Sequence, residues 1–252
     1  MHEERARAGS FGAEAERYDR ARPRYPEALV DDLVALAGGA PRVLDVGCGT
    51  GIAGAAFAAR GCDVLGVEPD ERMSEVARRK GLDVEVATFE EWDARGRSFD
   101  LVVSGQAWHW VDPERGPAKA ASLLRDGGVL APFWNLGRHD PATQAALDEV
   151  YGRHAPTFAR GSVALGRVRR DGDAEAIRAC GLFEEPEERR YEWTERYTAA
   201  EWTDQLRTHS DHALLDAPVR EALLAEVAGV VEALGGTMTM AYDTVAVVAR
   251  RR

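Results

Sequence analysis

Between residues 41 and 135 the chain alternates short apolar runs, near 42–46, 63–67, 83–86, 99–104 and 128–134, with segments of helical spacing. Nearly continuous apolar runs suit strands covered on both faces, and strands separated by helices call for a parallel sheet. A polar lead-in precedes them and gives way to a helix near Glu27 to Ala37. Leu29, Leu33 and Leu36 share its inner face, and Gly38-Gly39 stops it. Beyond residue 135 the period is mostly helical. An insertion starts near Pro141 and carries Leu147, Val150 and Tyr151. The Arg- and Gly-rich stretch 161–172 reads as a loop, 183–197 as a strand, and 199–209 and 217–234 as helices. Residues 239–249 form a last β pattern. The expected fold is α/β, a doubly wound, mostly parallel sheet with a helical cap. The expected segments are an amino-terminal cap (1–40), a ligand-binding core (41–135) and a cap insertion with the last elements of the sheet (136–252).

At 252 residues the chain is long enough to bury a full core, and no apolar run approaches the roughly twenty residues of a membrane helix. Met1 to Arg7 lacks an apolar signal core, so a cytoplasmic location and no membrane partner are expected. The net charge of −11 repels duplex phosphate, which argues against a nucleic-acid partner. Cys48, Cys62 and Cys180 are scattered and odd in number, fitting neither a disulfide framework nor a zinc site.

The stretch with the most chemistry is Val43-Leu44-Asp45-Val46-Gly47-Cys48-Gly49-Thr50-Gly51. An apolar strand runs into alternate glycines and then a helix beginning near Ile52. Glycines there let the backbone turn sharply and lie against a ligand, while the helix start offers free N–H groups. Gly49 to Gly54 satisfies the dinucleotide fingerprint G-x-G-x-x-G, and Glu68 lies about twenty residues on, where an acid would bind ribose hydroxyls. That reading predicts a nicotinamide-dependent oxidoreductase, yet the chain has no Y-x-x-x-K pair.

The longer run Leu44 to Gly51 resembles motif I of class I S-adenosylmethionine-dependent methyltransferases. Three further segments follow in that family's order: Val64 to Asp70, Phe99 to Ser104 with Gln106-Ala107-Trp108-His109-Trp110, and Leu123 to Leu130. Tyr18-Asp19-Arg20-Ala21-Arg22-Pro23-Arg24-Tyr25-Pro26 resembles the lead-in of the small-molecule type 11 group, including trans-aconitate methyltransferase. The resemblance implies a Rossmann-like, seven-stranded sheet whose last strand inserts antiparallel beside the sixth. It also implies S-adenosylmethionine as cofactor, with S-adenosylhomocysteine as product.

By the same resemblance Asp45 holds the methionine end of the cofactor, with Gly47, Cys48, Gly49 and Gly51 admitting it. Glu68 takes the ribose hydroxyls. Pro69 and Met73 on one side, and Thr88 and Phe89 on the other, flank the adenine. Thr88 stands where relatives usually carry an acid. Gln106 and Ala107 contact the methionine portion, Tyr18 approaches the sulfonium, and Arg24 is favoured over Arg20 and Arg22 for the carboxylate.

Methyl transfer from a sulfonium needs alignment, exclusion of water and a route for any released proton. His109 is the candidate general base, against a bland reading in which His109-Trp110 opens the next helix. Trp108, Trp134 and Tyr151 are the candidate substrate residues, with Asn135, His139, His154, Trp202 and His209 nearby candidates. Arg160 to Arg170 reads as a solvated lid edge or a carboxylate reader. No four-ligand metal pattern is visible, so no metal is expected. Ser104-Gly105-Gln106-Ala107-Trp108 lacks the Asn/Asp-Pro-Pro-Tyr/Phe motif of nucleic-acid amino methyltransferases. The expected activity is methyl transfer to oxygen or carbon of a small molecule, by a monomer or homodimer. A cofactor-binding protein that does not methylate is the other open reading.

Overall fold

The computed structural model describes residues 15–156, 158 and 172–252. Its strands are β1 (Arg42–Val46), β2 (Asp63–Glu68), β3 (Asp83–Val86), β4 (Phe99–Gly105), β5 (Leu124–Arg138), β6 (Glu187–Thr198) and β7 (Thr237–Arg250). They form one seven-stranded sheet in the order β3-β2-β1-β4-β5-β7-β6. The pairs β1–β2, β1–β4, β2–β3 and β4–β5 are parallel. The order reverses between β1 and β4, the crossover point at which open α/β sheets bind ligands. β7 lies between β5 and β6, as the resemblance implies.

Among the described residues, helices are α1 (Ala15–Ala21), α2 (Glu27–Leu36), α3 (Ile52–Ala58), α4 (Glu71–Arg79), α5 (Arg115–Leu123) and α6 (Pro141–His154). Residues 172–179 (α7) follow, then α8 (Ala199–Arg207), α9 (Ser210–Ala213) and α10 (Ala217–Ala233). Local chemistry sets several of their ends. Asp70 caps α4 by accepting from Arg72 N and Met73 N at 2.9 and 3.4 Å. Asp140 caps α6 through Ala142 N and Thr143 N at 3.0 and 3.1 Å. Thr198 and Glu201 form a reciprocal capping box on α8, an arrangement worth about 1 kcal/mol. Gly39, in the left-handed region, returns its N–H to Val34 O at 3.0 Å and ends α2.

Chain contacts divide the described residues into two compact units, each assembled from separated stretches of the chain. One comprises 24–135, 172–191 and 244–252. Its core unites Leu29, Leu33, Val43, Phe57, Leu101 and Phe133 with Ala246 and Val248 from the end of the chain. The other comprises 15–23, 136–156, 158 and 192–243. Its core is built by Leu147 and Val150 of α6, Trp202 and Leu206 of α8, and Leu223, Val227 and Val231 of α10.

Several boundaries differ from the sequence expectation, among them the start of β6 at Glu187 where a strand is expected from 183. α1 appears inside the polar lead-in, where only Ala15 is buried and Arg17 and Arg20 pair with Asp204 at 2.9 and 3.3 Å. β5 begins at Leu124, earlier than 128, because a register shift opposite Phe99 and Leu101 absorbs the turn-forming residues. The expected loop 161–172 and the Arg160 to Arg170 segment lie outside the described residues, except that 172 is already helical.

Candidate functional site

The motifs converge at the carboxyl ends of β1, β2 and β4, within the first unit. Gly47, Gly49 and Gly51 have φ of +65°, +57° and +76°, a region that penalises any side chain. Their surroundings differ. A Cβ on Gly47 would lie 2.5 Å from Ala107 Cβ, and one on Gly51 2.4 Å from Leu82 Cδ1. A Cβ on Gly49 would touch only the Met73 methyl, at 3.4 Å. Gly47 and Gly51 are therefore closed by protein, while Gly49 leaves a cradle open. The turn is pinned by Gly47 N and Cys48 N donating to Val67 O at 2.8 and 3.2 Å.

Two acids stand beside it. Glu68 ends β2; Oε2 accepts from Gly49 N at 2.9 Å and Oε1 from Asp70 N at 3.0 Å. Each carboxylate oxygen has a second acceptor position, so this clasp still leaves room for two hydroxyl donors. Burial is the main influence that raises the Glu68 carboxyl above its usual range, opposed by the N–H groups of Asp70 and Gly49.

Asp45 is 1% exposed, and neither of its carboxyl oxygens meets a hydrogen-bond partner. The backbone N–H of Gly54 leans toward it without reaching hydrogen-bond geometry. Burial, with the nearby Glu68 charge, pushes its carboxyl up to about 7. A buried polar group without a partner costs about 1–3 kcal/mol, so such a group marks a place built for a donor.

An amino group of the cofactor's methionine end fits Asp45, a ribose diol fits Glu68, and the Gly49 cradle admits the chain between them. A pyrophosphate fits poorly, since two buried carboxyls flank the turn. A proton equilibrium follows. A cationic amino group favours ionised Asp45, so binding of S-adenosylhomocysteine is expected to weaken as pH falls through about 7, with proton release near neutrality. Calorimetry in buffers of different ionisation enthalpy measures both.

The remaining expected residues are distributed unevenly. Met73, whose methyl faces Gly49, and Phe89 are buried, whereas Pro69 and Thr88 are exposed. The Cys48 side chain turns back into the core: its Sγ occupies the position 2.6 Å from where a Gly66 Cβ would stand, so only its backbone can face a ligand. Trp108 does not face a substrate site as its sequence position suggests. Its indole is 2% exposed and packs 6.0 Å from the Phe89 ring, leaving no surface for a substrate. His109 is half-buried in a 3-10 turn, Trp108–Trp110, with its ring 4.7 Å from that of Trp110. Trp134 is buried on β5. The Arg24 side chain is exposed.

Gln106 carries a signal invisible in sequence: it has φ +60°, unusual for a residue with a side chain. It is held there by its N–H to Phe133 O at 2.9 Å and its Nε2 to Asn135 O at 3.3 Å. Ser104, wholly buried, donates to Val46 O at 2.8 Å and ties β4 to β1. Neither role has a local sequence signature.

Tyr18 and Tyr151 belong to the second unit. Arg22 lies over the Tyr18 ring at 4.9 Å and donates to Thr208 O at 2.8 Å. Tyr151 Oη is 2.9 Å from His212 Nε2, and His212 Nδ1 is 2.8 Å from Asp211 Oδ1. Hydrogen bonding to His212 holds the Asp211 carboxyl far below its usual range despite burial, so His212 Nδ1 donates to Asp211 Oδ1. His209 joins this group, burial holding its imidazole neutral. Sequence spacing does not mark His209, Asp211 and His212 as a cluster. His139 stacks edge-on against Trp202 in the same unit, and His154 bonds Glu226.

Residues 44–131 match the methyltransferase domain family of the type 11 group. A solved structure assigned as a type II methyltransferase, from Anaeromyxobacter dehalogenans, is 27% identical over 91% of this chain and 97% of its own, with a TM-score of 0.69. An uncharacterized methyltransferase of Mycobacterium tuberculosis is 41% identical over 147 residues, 57% of this chain and 59% of the relative. A protein of Saccharomyces cerevisiae assigned as an S-adenosylmethionine-dependent methyltransferase is 33% identical over 131 residues, 48% of this chain and 45% of the relative. The chain thus matches 59% or less of the length of these two relatives. Glycine turn, paired acids and sheet order agree with these likenesses: residues 44–131 match the type 11 methyltransferase domain family, and the chain as a whole is similar to a solved structure assigned as a methyltransferase.

Proposed function

We propose that this protein transfers the methyl group of S-adenosylmethionine to an oxygen or carbon atom of a small molecule. The observation that carries the reading is Asp45, a buried carboxyl with no partner at the carboxyl end of β1, beside the open cradle of Gly49. When bound, the sulfonium supplies an already activated methyl group.

The chain's own residues then bind and orient. Asp45 accepts from the amino group, Glu68 from the ribose hydroxyls, and Met73 and Phe89 offer apolar surface to the adenine. Gln106 and Ala107 wall the methionine portion. Arg24 serves the carboxylate, as the resemblance implies. His109 accepts the proton where the acceptor must lose one. The net charge of −11 and the absence of an Asn/Asp-Pro-Pro-Tyr/Phe motif after β4 favour a small acceptor over nucleic acid. Among the described residues no helix is long and apolar enough to cross a membrane. The protein works as a monomer or homodimer in the cytoplasm under this proposal.

Isothermal calorimetry with S-adenosylhomocysteine tests the cofactor half. Saturable one-site binding and a raised thermal midpoint are expected; no heat and no shift would refute it. Transfer of labelled methyl groups into a small-metabolite extract, with none into RNA or DNA, is the expected result for the acceptor half.

A further inference from the structure

Asn135, near the end of β5, is a candidate substrate residue by sequence, yet its amide is already committed. Its Nδ2 donates to the carbonyl oxygen of Arg24 at 3.0 Å, and its Oδ1 accepts from Thr244 Oγ1 at 2.7 Å. The Arg24 carbonyl can only accept, so this contact fixes which end of the amide faces the amino-terminal segment. The Asn135 carbonyl oxygen takes a third bond, from Gln106 Nε2.

A second contact supports the first. Tyr25 packs edge-on against Phe133, ring centroids 4.7 Å apart at 80°. Its hydroxyl fills the space beside Gly105, 2.6 Å from where a Cβ would lie. Segment 24–25 is thereby seated on the carboxyl ends of β4 and β5. The strained Gln106 sits between them, and the next residue, Ala107, is the wall against Gly47.

We infer that Asn135 is a positioning residue for cofactor binding. It latches the amino-terminal segment at Arg24 and, with its backbone, keeps Gln106 and Ala107 in the conformation that shapes the glycine turn. The inference rests on the cofactor reading above.

The Arg24–Tyr25 bond supplies a direct readout, because trypsin cleaves after Arg and the latch holds that very carbonyl. Two variants are measured, Asn135→Ala and Asn135→Asp. Aspartate keeps the size and an acceptor for Thr244 but has no donor for the Arg24 carbonyl. Both should weaken S-adenosylhomocysteine binding about tenfold or more by calorimetry. Both should also speed tryptic cleavage, scored by mass spectrometry as a fragment starting at Tyr25, about fivefold in the unliganded protein.

If Asn135 merely fills space, Asn135→Asp will behave as wild type in both measurements, and the inference is overturned. Faster cleavage with unchanged affinity removes the link to the cofactor, and weaker binding with unchanged cleavage removes the latch. Should Asn135→Ala fail to fold, Asn135→Asp carries the test. Absence of binding heat in the wild type would sink the cofactor reading and with it the link to binding, while the cleavage rates still judge the latch.

Discussion

Replacing Asp45 by asparagine is expected to move cofactor affinity and unliganded stability in opposite directions. The carboxyl is 1% exposed, lacks a hydrogen-bond partner and is pushed up to about 7. A carboxyl whose folded value exceeds its unfolded one keeps its proton in the fold. Its contribution is complete in acid and disappears as pH rises through the folded value. For Asp45 that loss runs from its ordinary 3.8 to about 7. At pH near 8 the wild type then holds an ionised, unpartnered group at a cost of at most about 4 kcal/mol.

The amide introduced by Asp45→Asn cannot ionise, although it still needs hydrogen-bond partners. The unliganded variant should therefore gain about 2 kcal/mol over wild type near pH 8 and little near pH 5. Urea denaturation at the two pH values measures this. Binding of S-adenosylhomocysteine should weaken by about tenfold or more, because the amino group loses an ionic acceptor. A variant that binds as wild type, or is uniformly less stable at both pH values, would remove Asp45 from the site.

Alanine at Gly47 and alanine at Gly49 should separate stability from binding. Both glycines have left-handed backbone, so each substitution carries a penalty of about 1 kcal/mol. At Gly47 the new Cβ also meets Ala107 Cβ at 2.5 Å, an atom fixed to its backbone that cannot swing aside. Overpacking of that kind adds about 1–3 kcal/mol. Gly47→Ala should thus cost about 2–4 kcal/mol of unfolding free energy and abolish measurable cofactor binding.

At Gly49 the new Cβ touches only the Met73 methyl at 3.4 Å and otherwise enters the cradle. Gly49→Ala should lose only about 1 kcal/mol of stability while binding of S-adenosylhomocysteine drops about a hundredfold. Urea unfolding and calorimetry on the pair decide the matter. Equal stability losses, or unimpaired binding by Gly49→Ala, would show that the cradle lies elsewhere.

The contrast between these glycines and Asn135 explains which parts of the site can be read from the chain alone. Asp45, the three glycines and Glu68 sit within one β-turn-α-β unit, where short spacing and backbone sterics dictate geometry. The sheet order follows for the same reason, from strands that alternate with helices. Asn135 instead meets Arg24 and Thr244 across 111 and 109 residues, and no periodicity encodes such a meeting. The cluster of Tyr151 and His212 spans 61 residues and depends equally on tertiary packing.

Trp108 departs from expectation for a different reason. An aromatic residue after β4 looks the same in sequence whether a turn directs it outward or into the core, and here the 3-10 turn buries it. α1 has no sequence signature because one buried alanine gives no amphipathic stripe, and ion pairs to Asp204 help hold it. Residues 159–171 carry charge without pattern, and they lie outside the described residues.

Cys48 gives the turn a built-in chemical clock. Its sulfur is sealed behind Gly66, and burial raises the thiol well above its ordinary range, so reagents that attack thiolates find neither access nor charge. Alkylation there must wait for the whole corner to lift from β2, whereas the partly accessible Cys180 has no such gate. Slow labelling at Cys48, told apart from the also buried Cys62 by mass spectrometry, would therefore count openings of the corner, and any molecule that seats in the cradle would lengthen the interval between them.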